Sequence, residues 1–160
     1  NYFAPSIDVY IHPGDISYAN DAPLAYEDSF REWFKNVENA TSQAPYMAAP
    51  GNHEVWCRCA EILETKDFQV YKQKFRYPGH SSTNPARGSG DNMWFSFDVG
   101  PVHFVSFSTE TDYPGAPRDL KRSTSQLDWI DADLAAVNRT ATPFVIVFAH
   151  RPMYVDSPGS

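Results

Sequence analysis

The sequence predicts an α/β domain with mixed β-sheets flanked by helices, and three observations carry that prediction. Segments of strand and helix periodicity alternate along the chain in the order β-α-β-α-β-β-α-β. The last of them, Phe144 to Phe148, is the continuous apolar run expected of a strand buried on both faces. Three strand-type segments each stop at polar residues suited to chemistry: Asp15, Asn52-His53 and His150. In α/β sheets the carboxyl ends of strands line the ligand crevice, so residues far apart in sequence are expected to meet there.

Ile7 to Ile11 alternates as a strand and stops at His12-Pro13-Gly14-Asp15. From Glu27 to Val37, Phe30, Trp33, Phe34 and Val37 recur at three- and four-residue spacing, which predicts an amphipathic helix. Pro45 to Ala49 is a second strand running into Pro50-Gly51-Asn52-His53-Glu54. Phe68, Tyr71 and Phe75 give Asp67 to Phe75 a helical spacing, and these two aromatic stripes are expected in the core. Turn formers concentrate between Tyr77 and Asn92, which reads as a long surface loop. Met93 to Val99 and Pro101 to Phe107 both alternate, and Val99-Gly100-Pro101 between them predicts a β-hairpin. Thr109 to Lys121 is a second loop. Ser125 to Val137 is a helix whose expected apolar face is Leu127, Ile130, Leu134 and Val137.

The chain has 160 residues, of which 42% are hydrophobic, 15% aromatic and 21% charged. That composition supports one real core and argues against a disordered chain. The net charge is −7, so the basic footprint that nucleic acids and anionic membranes require is lacking. Mean hydropathy is −0.48, and no apolar run approaches the roughly 18 residues of a membrane span. The chain starts at Asn1 without Met and ends at Ser160 soon after a strand, so a partial domain, truncated at both ends, is expected.

Two cysteines, Cys57 and Cys59, lie two apart. On an extended segment that separation is about 7 Å, too long for an easy bridge. A strained mutual disulfide and pairing with other cysteines both stay open, and a structural role outweighs a metal role. Asn39-Ala40-Thr41 and Asn138-Arg139-Thr140 are glycosylation sequons. With the cysteines they point to a secreted, extracellular or vacuolar protein.

The chemistry concentrates in Gly14-Asp15-Ile16-Ser17-Tyr18, Gly51-Asn52-His53-Glu54 and Val147-Phe148-Ala149-His150. The glycines allow sharp turns that aim the next side chain into the crevice. Asp15 offers two carboxylate oxygens, Asn52 an amide oxygen, His150 an imidazole and Tyr18 a phenolate. Mixed oxygen and nitrogen donors without thiolates suit iron, zinc or manganese.

These blocks resemble the calcineurin-like metallophosphoesterases and, within them, the purple acid phosphatases of plant and fungal type. The Gly-Asp-x-x-Tyr, Gly-Asn-His-Glu and Val-x-x-His motifs follow in the family's order, and Tyr18 is the residue that sets purple acid phosphatases apart. Stretches such as Met93 to Asp98, Ser108-Thr109-Glu110-Thr111 and His150-Arg151-Pro152 extend the likeness over nearly the whole chain. The resemblance implies a metallophosphoesterase-type α/β sandwich and acid phosphatase activity on small phosphate monoesters. It implies a dinuclear metal centre of Fe(III) with a divalent Zn, Fe or Mn. Asp15 would bridge the ions, Tyr18 would bind the ferric ion, and Asn52 and His150 would bind the divalent one. His53 would face the phosphate as the catalytic residue, while Glu54 and His12 would support the ligands from behind. The family's upstream Asp-x-Gly and downstream Gly-His-x-His blocks are absent here, so residues 1–160 alone are expected to be weak or inactive. Two other readings share the scaffold: a phosphodiesterase or nucleotide-sugar hydrolase, and a glycosylated protein that retains the fold without catalysis. His103 is expected to be structural.

Overall fold

The structure is a computed structural model that describes residues 7–55, 68–78, 88–111 and 123–154. Cys57 and Cys59 lie outside these residues. Strand β1 (Tyr10–Pro13) pairs in parallel with β2 (Tyr46–Ala49), Tyr10 standing opposite Tyr46 and Pro13 opposite Ala49. Helix α1 (Tyr26–Thr41) makes the crossover between them. A short helix α2 (Gln69–Lys74) precedes the antiparallel pair β3 (Phe95–Val99) and β4 (Val102–Ser106). Helix α3 (Ser123–Ala136) then leads to β5 (Phe144–Phe148), which adds in parallel to β4. The expected element order is therefore present, as two sheets, β1-β2 and β3-β4-β5.

Strand β2 ties the interior together, because its side chains alternate between two apolar clusters. Ala48 enters the cluster of Tyr26 and Phe30 from α1, Tyr71 from α2, Phe68, Phe75, Met93 and Trp94. Met47 and Ala49 face the other way, onto Phe95, Phe97, Phe104 and Phe148 of the second sheet. Most of both aromatic stripes expected in the core is there, with Phe34 remaining 39% exposed at the edge. The hairpin turn holds Gly100 at φ 54, a conformation that favours glycine.

Two expectations are corrected. Helix α3 turns inward a face shifted from the expected one: Ile130 and Val137 are half-buried, but Leu127 is 61% and Leu134 39% exposed, while Gln126 is buried and Trp129 packs against the first cluster. The sheet surface under α3 offers polar partners, and these select the face. Gln126 exchanges two hydrogen bonds with the backbone of Ser108, both 2.9 Å long. Asp133 accepts from Ser96 at 2.6 Å and meets His103 Nε2 at 2.9 Å. His103 itself is buried between Asp133 and Asp98, the latter 2.6 Å from Nδ1, so its part here is structural. The second correction concerns β5, where Phe144, Ile146 and Val147 are about half exposed and only Phe148 is buried. It is the edge strand of its sheet, and no element among the described residues covers its outer face. No helix among the described residues is long and apolar enough to cross a membrane.

Candidate metal centre

The loops that leave β1, β2 and β5 meet at one point. Two glycines make the approach possible. A Cβ on Gly14, which has φ +87, would lie 2.7 Å from the His150 ring and 2.8 Å from Gly51 Cα. A Cβ on Gly51 would lie 2.4 Å from both the backbone N and Oδ1 of Asp15. Asp15 and Tyr18 take left-handed backbones, φ 54 and φ 50. Each costs about 1–2 kcal/mol for a residue with a Cβ, strain that the surrounding contacts hold in place.

Glu54 fastens the loops to each other. It is buried, and its carboxylate accepts the backbone N–H groups of Asp15 (2.9 Å), Ile16 (2.8 Å) and Gly51 (2.8 Å). Burial pushes its pKa up, and the N–H donors from Ile16, Gly51 and Asp15 offset part of that rise.

Asp15, Asn52, His150 and Tyr18 converge. Asp15 Oδ1 accepts the His53 backbone N–H at 3.0 Å, leaving Oδ2 3.3 Å from Tyr18 OH and 3.3 Å from His150 Nε2. His150 Nε2 is also 3.0 Å from Asn52 Oδ1. The other ring nitrogen, Nδ1, lies 2.9 Å from the carbonyl of Pro13. A carbonyl only accepts, so Nδ1 carries a proton, and Nε2 is left facing the two oxygens. Such a cluster of acceptors is stable with either a second ring proton or a cation among them. Ligands about 2.0–2.2 Å from a metal stand roughly 3 Å from one another, the spacing found here. The donor set therefore fits a hard or borderline cation. Among the described residues no group of three or more His, Cys, Asp and Glu assembles; Asp15 and His150 are joined instead by an amide and a phenol.

Tyr18 is half exposed, and its phenol is held above the ordinary pKa, first by the negative charge of Asp15. A strongly charged cation is what would ionise it. His53 tilts against the Tyr18 ring at a 4.2 Å centroid distance. Its Nδ1 lies 2.8 Å from Asn20 Oδ1, which fixes the proton on Nδ1 and turns Nε2 to the other side of the ring. Asp21 is further off, at 3.8 Å.

His12 stands behind this group, within electrostatic reach of Asp15 and His150 and beside the Gly14 and Asp15 backbone. Its Nδ1 is 2.6 Å from Tyr46 OH, and its ring packs among Trp33 and Tyr46. Burial lowers its pKa. Both sequon asparagines are exposed; Asn39 lies in the last turn of α1, because that helix runs four residues past Val37, and Asn138 follows α3. Sequence reasoning missed Asn20, and no residue pattern marks it. It also gave no role to Thr109, Glu110 and Arg151, although both stretches that hold them were part of the family likeness.

Residues 2–160 match the Calcineurin-like phosphoesterase family, and the chain belongs to it. Its similar relatives are purple acid phosphatases and acid phosphatases. The chain is 37% identical over 161 residues to "Probable inactive purple acid phosphatase 9" of Arabidopsis thaliana, covering 91% of this chain and 23% of that protein. It is 34% identical over 157 residues to "Acid phosphatase type 7" of Danio rerio, covering 94% of this chain and 30% of that one. Among solved structures it is similar to purple acid phosphatase PPD1 from yellow lupin (Lupinus luteus) seeds, with a TM-score of 0.67 and 26% identity over 96% of this chain and 25% of that chain. The chain thus spans about a quarter to a third of the length of these relatives.

Proposed function

We propose that the chain is part of a metallophosphoesterase catalytic domain, and that the longer protein to which it belongs hydrolyses small phosphate monoesters at acid pH. The observation that carries this reading is the convergence of Asp15 Oδ2, Asn52 Oδ1, His150 Nε2 and Tyr18 OH, each 3.0–3.3 Å from a neighbour. Asp15 would bridge two ions, Tyr18 would hold Fe(III), and Asn52 and His150 would hold a divalent Zn, Fe or Mn. When bound, such a pair of ions supplies a water of lowered pKa and neutralises phosphate charge.

The remaining work belongs to the chain. Asp15 would serve the ions through Oδ2 while its other oxygen, Oδ1, accepts the His53 backbone N–H and anchors that loop. His53, with Nδ1–H held by Asn20, has Nε2 left over for the substrate. In its doubly protonated form that atom donates to a phosphate oxygen or to the departing alkoxide. Glu54 keeps the Asp15 and Gly51 loops at contact distance. The two sequons and the relatives' acid phosphatase names support a secreted or vacuolar glycoprotein.

The test is hydrolysis of an aryl phosphate at acid pH by the iron- and zinc-loaded full-length protein that contains this chain, and by its Asp15→Asn variant. Activity with a visible tyrosinate band in the wild type, and loss of both in the variant, is expected. Faster hydrolysis of a bis-aryl diester would favour the phosphodiesterase reading. Full metal binding without turnover would favour the non-catalytic one, which the word "inactive" in one relative's name also raises.

A further inference from the structure

We propose that Glu110 is a positioning residue for His150, acting through Arg151; the inference rests on the reading of His150 as a metal ligand. The ladder of the second sheet ends at the bond from Phe107 N–H to the Phe148 carbonyl, 3.2 Å long. His150 comes two residues later, beyond the last strand bond. Something other than the sheet has to hold it.

The loop after β4 does so. Glu110 is fully buried and receives the guanidinium of Arg151 as a fork, Nε to Oε1 at 2.9 Å and Nη2 to Oε2 at 2.8 Å. The Arg151 backbone N–H donates to Thr109 Oγ1 at 3.1 Å, and that hydroxyl donates to Glu110 Oε1 at 3.1 Å. The residue after His150 is therefore clamped at both its main chain and its side chain. The loop is fixed in turn: Glu110 N–H donates to Ser108 Oγ at 3.2 Å, and Ser108 is held by Gln126 of α3. A bidentate arginine–carboxylate pair sets orientation as well as distance, which a lone lysine charge does not. With the backbone at 151 fixed, the Pro13 carbonyl holds the Nδ1 side of the His150 ring, and these two restraints aim Nε2 at Asn52 and Asp15.

The test is zinc affinity by equilibrium dialysis in the iron-loaded protein, comparing wild type with Glu110→Gln, Thr109→Val and Arg151→Lys. Supporting groups behind a ligand typically change metal affinity 10- to 100-fold, and a loss in that range is expected for Glu110→Gln. Arg151→Lys should lose about as much although it keeps the charge. The Tyr18 tyrosinate band should stay unchanged, since that residue is reached by the other loops. In the metal-free protein, the His150 Nδ1 proton signal should exchange faster in Glu110→Gln. If Glu110→Gln is too unstable to handle, Thr109→Val and Arg151→Lys carry the same expectation. Wild-type affinity for zinc in all three variants would overturn the proposal alone. Loss of the tyrosinate band in step with zinc would also overturn it, as a merely structural role. A wild-type protein that takes no zinc, or a His150→Ala variant that binds it normally, would overturn the reading of His150 and the proposal with it.

Discussion

Replacing Glu54 by Gln probes the device that joins the two motif loops. The carboxylate serves three buried backbone donors, Gly51 and Asp15 on Oε2 and Ile16 on Oε1. A glutamine oxygen can keep the pair on one side, but its NH2 then faces the Ile16 N–H, donor against donor. Leaving one buried N–H unsatisfied costs about 1–3 kcal/mol, and the two retained bonds each weaken by about 1 kcal/mol when the acceptor loses its charge. Relief of a buried charge returns part of this, as the raised pKa of Glu54 indicates. A net loss of about 2–3 kcal/mol is expected, read by urea unfolding of the metal-free protein at neutral pH. A loss below about 0.5 kcal/mol would refute the claim that Glu54 holds the loops together.

Gly51→Ala should cost about 2–3 kcal/mol by thermal unfolding, because its Cβ would sit 2.4 Å from backbone that cannot move aside. Asn20→Ala should lower kcat for an aryl phosphate roughly 10-fold with KM nearly unchanged, since His53 loses the acceptor that sets its tautomer. Burial pushes the Tyr26 phenol up to about 12 and raises those of Tyr71 and Tyr77 as well. A raised phenol pKa stabilises the fold below about pH 10 and ceases to as pH climbs through the folded value. Stability should therefore fall steeply above pH 10, and more gently in Tyr26→Phe, as a pH series of melting temperatures would show. Leu127→Lys should change stability by less than about 0.5 kcal/mol, because that side chain is 61% exposed.

The order of the elements was legible because each strand and helix carries its own periodicity, and the bounds of β5 were read to the residue. The inward face of α3 was legible only in part, through Ile130 and Val137. Hydrophobic spacing points Leu127 and Leu134 inward, yet the sheet beneath presents the Ser108 backbone and His103, and Gln126 and Asp133 answer them. Nothing local announces a polar partner that lies 18 to 37 residues away. The exposure of β5 was hidden for a related reason: an apolar run reports what a strand can pack against, not what covers it. The convergence of Asp15, Asn52 and His150 followed from the rule that crevices form at strand ends. Asn20, Glu110 and Arg151 escaped because support for a site is a matter of tertiary reach, and residue spacing carries no signal for it.

The hydrogen bond between His150 and the Pro13 carbonyl joins residues 137 apart in the chain. Contacts of such separation are slow to form, because the entropy of closing the intervening loop must be met before the contact rewards it. During synthesis Asp15, Tyr18 and Asn52 leave the ribosome long before His150 does. The crevice cannot close around an ion until β5 has docked, so under the reading above metal capture waits for that docking. A cation spanning Asp15 and His150 would then act as a clasp across that long separation, and chelation should loosen the docking of the second sheet on the first before it unravels either one.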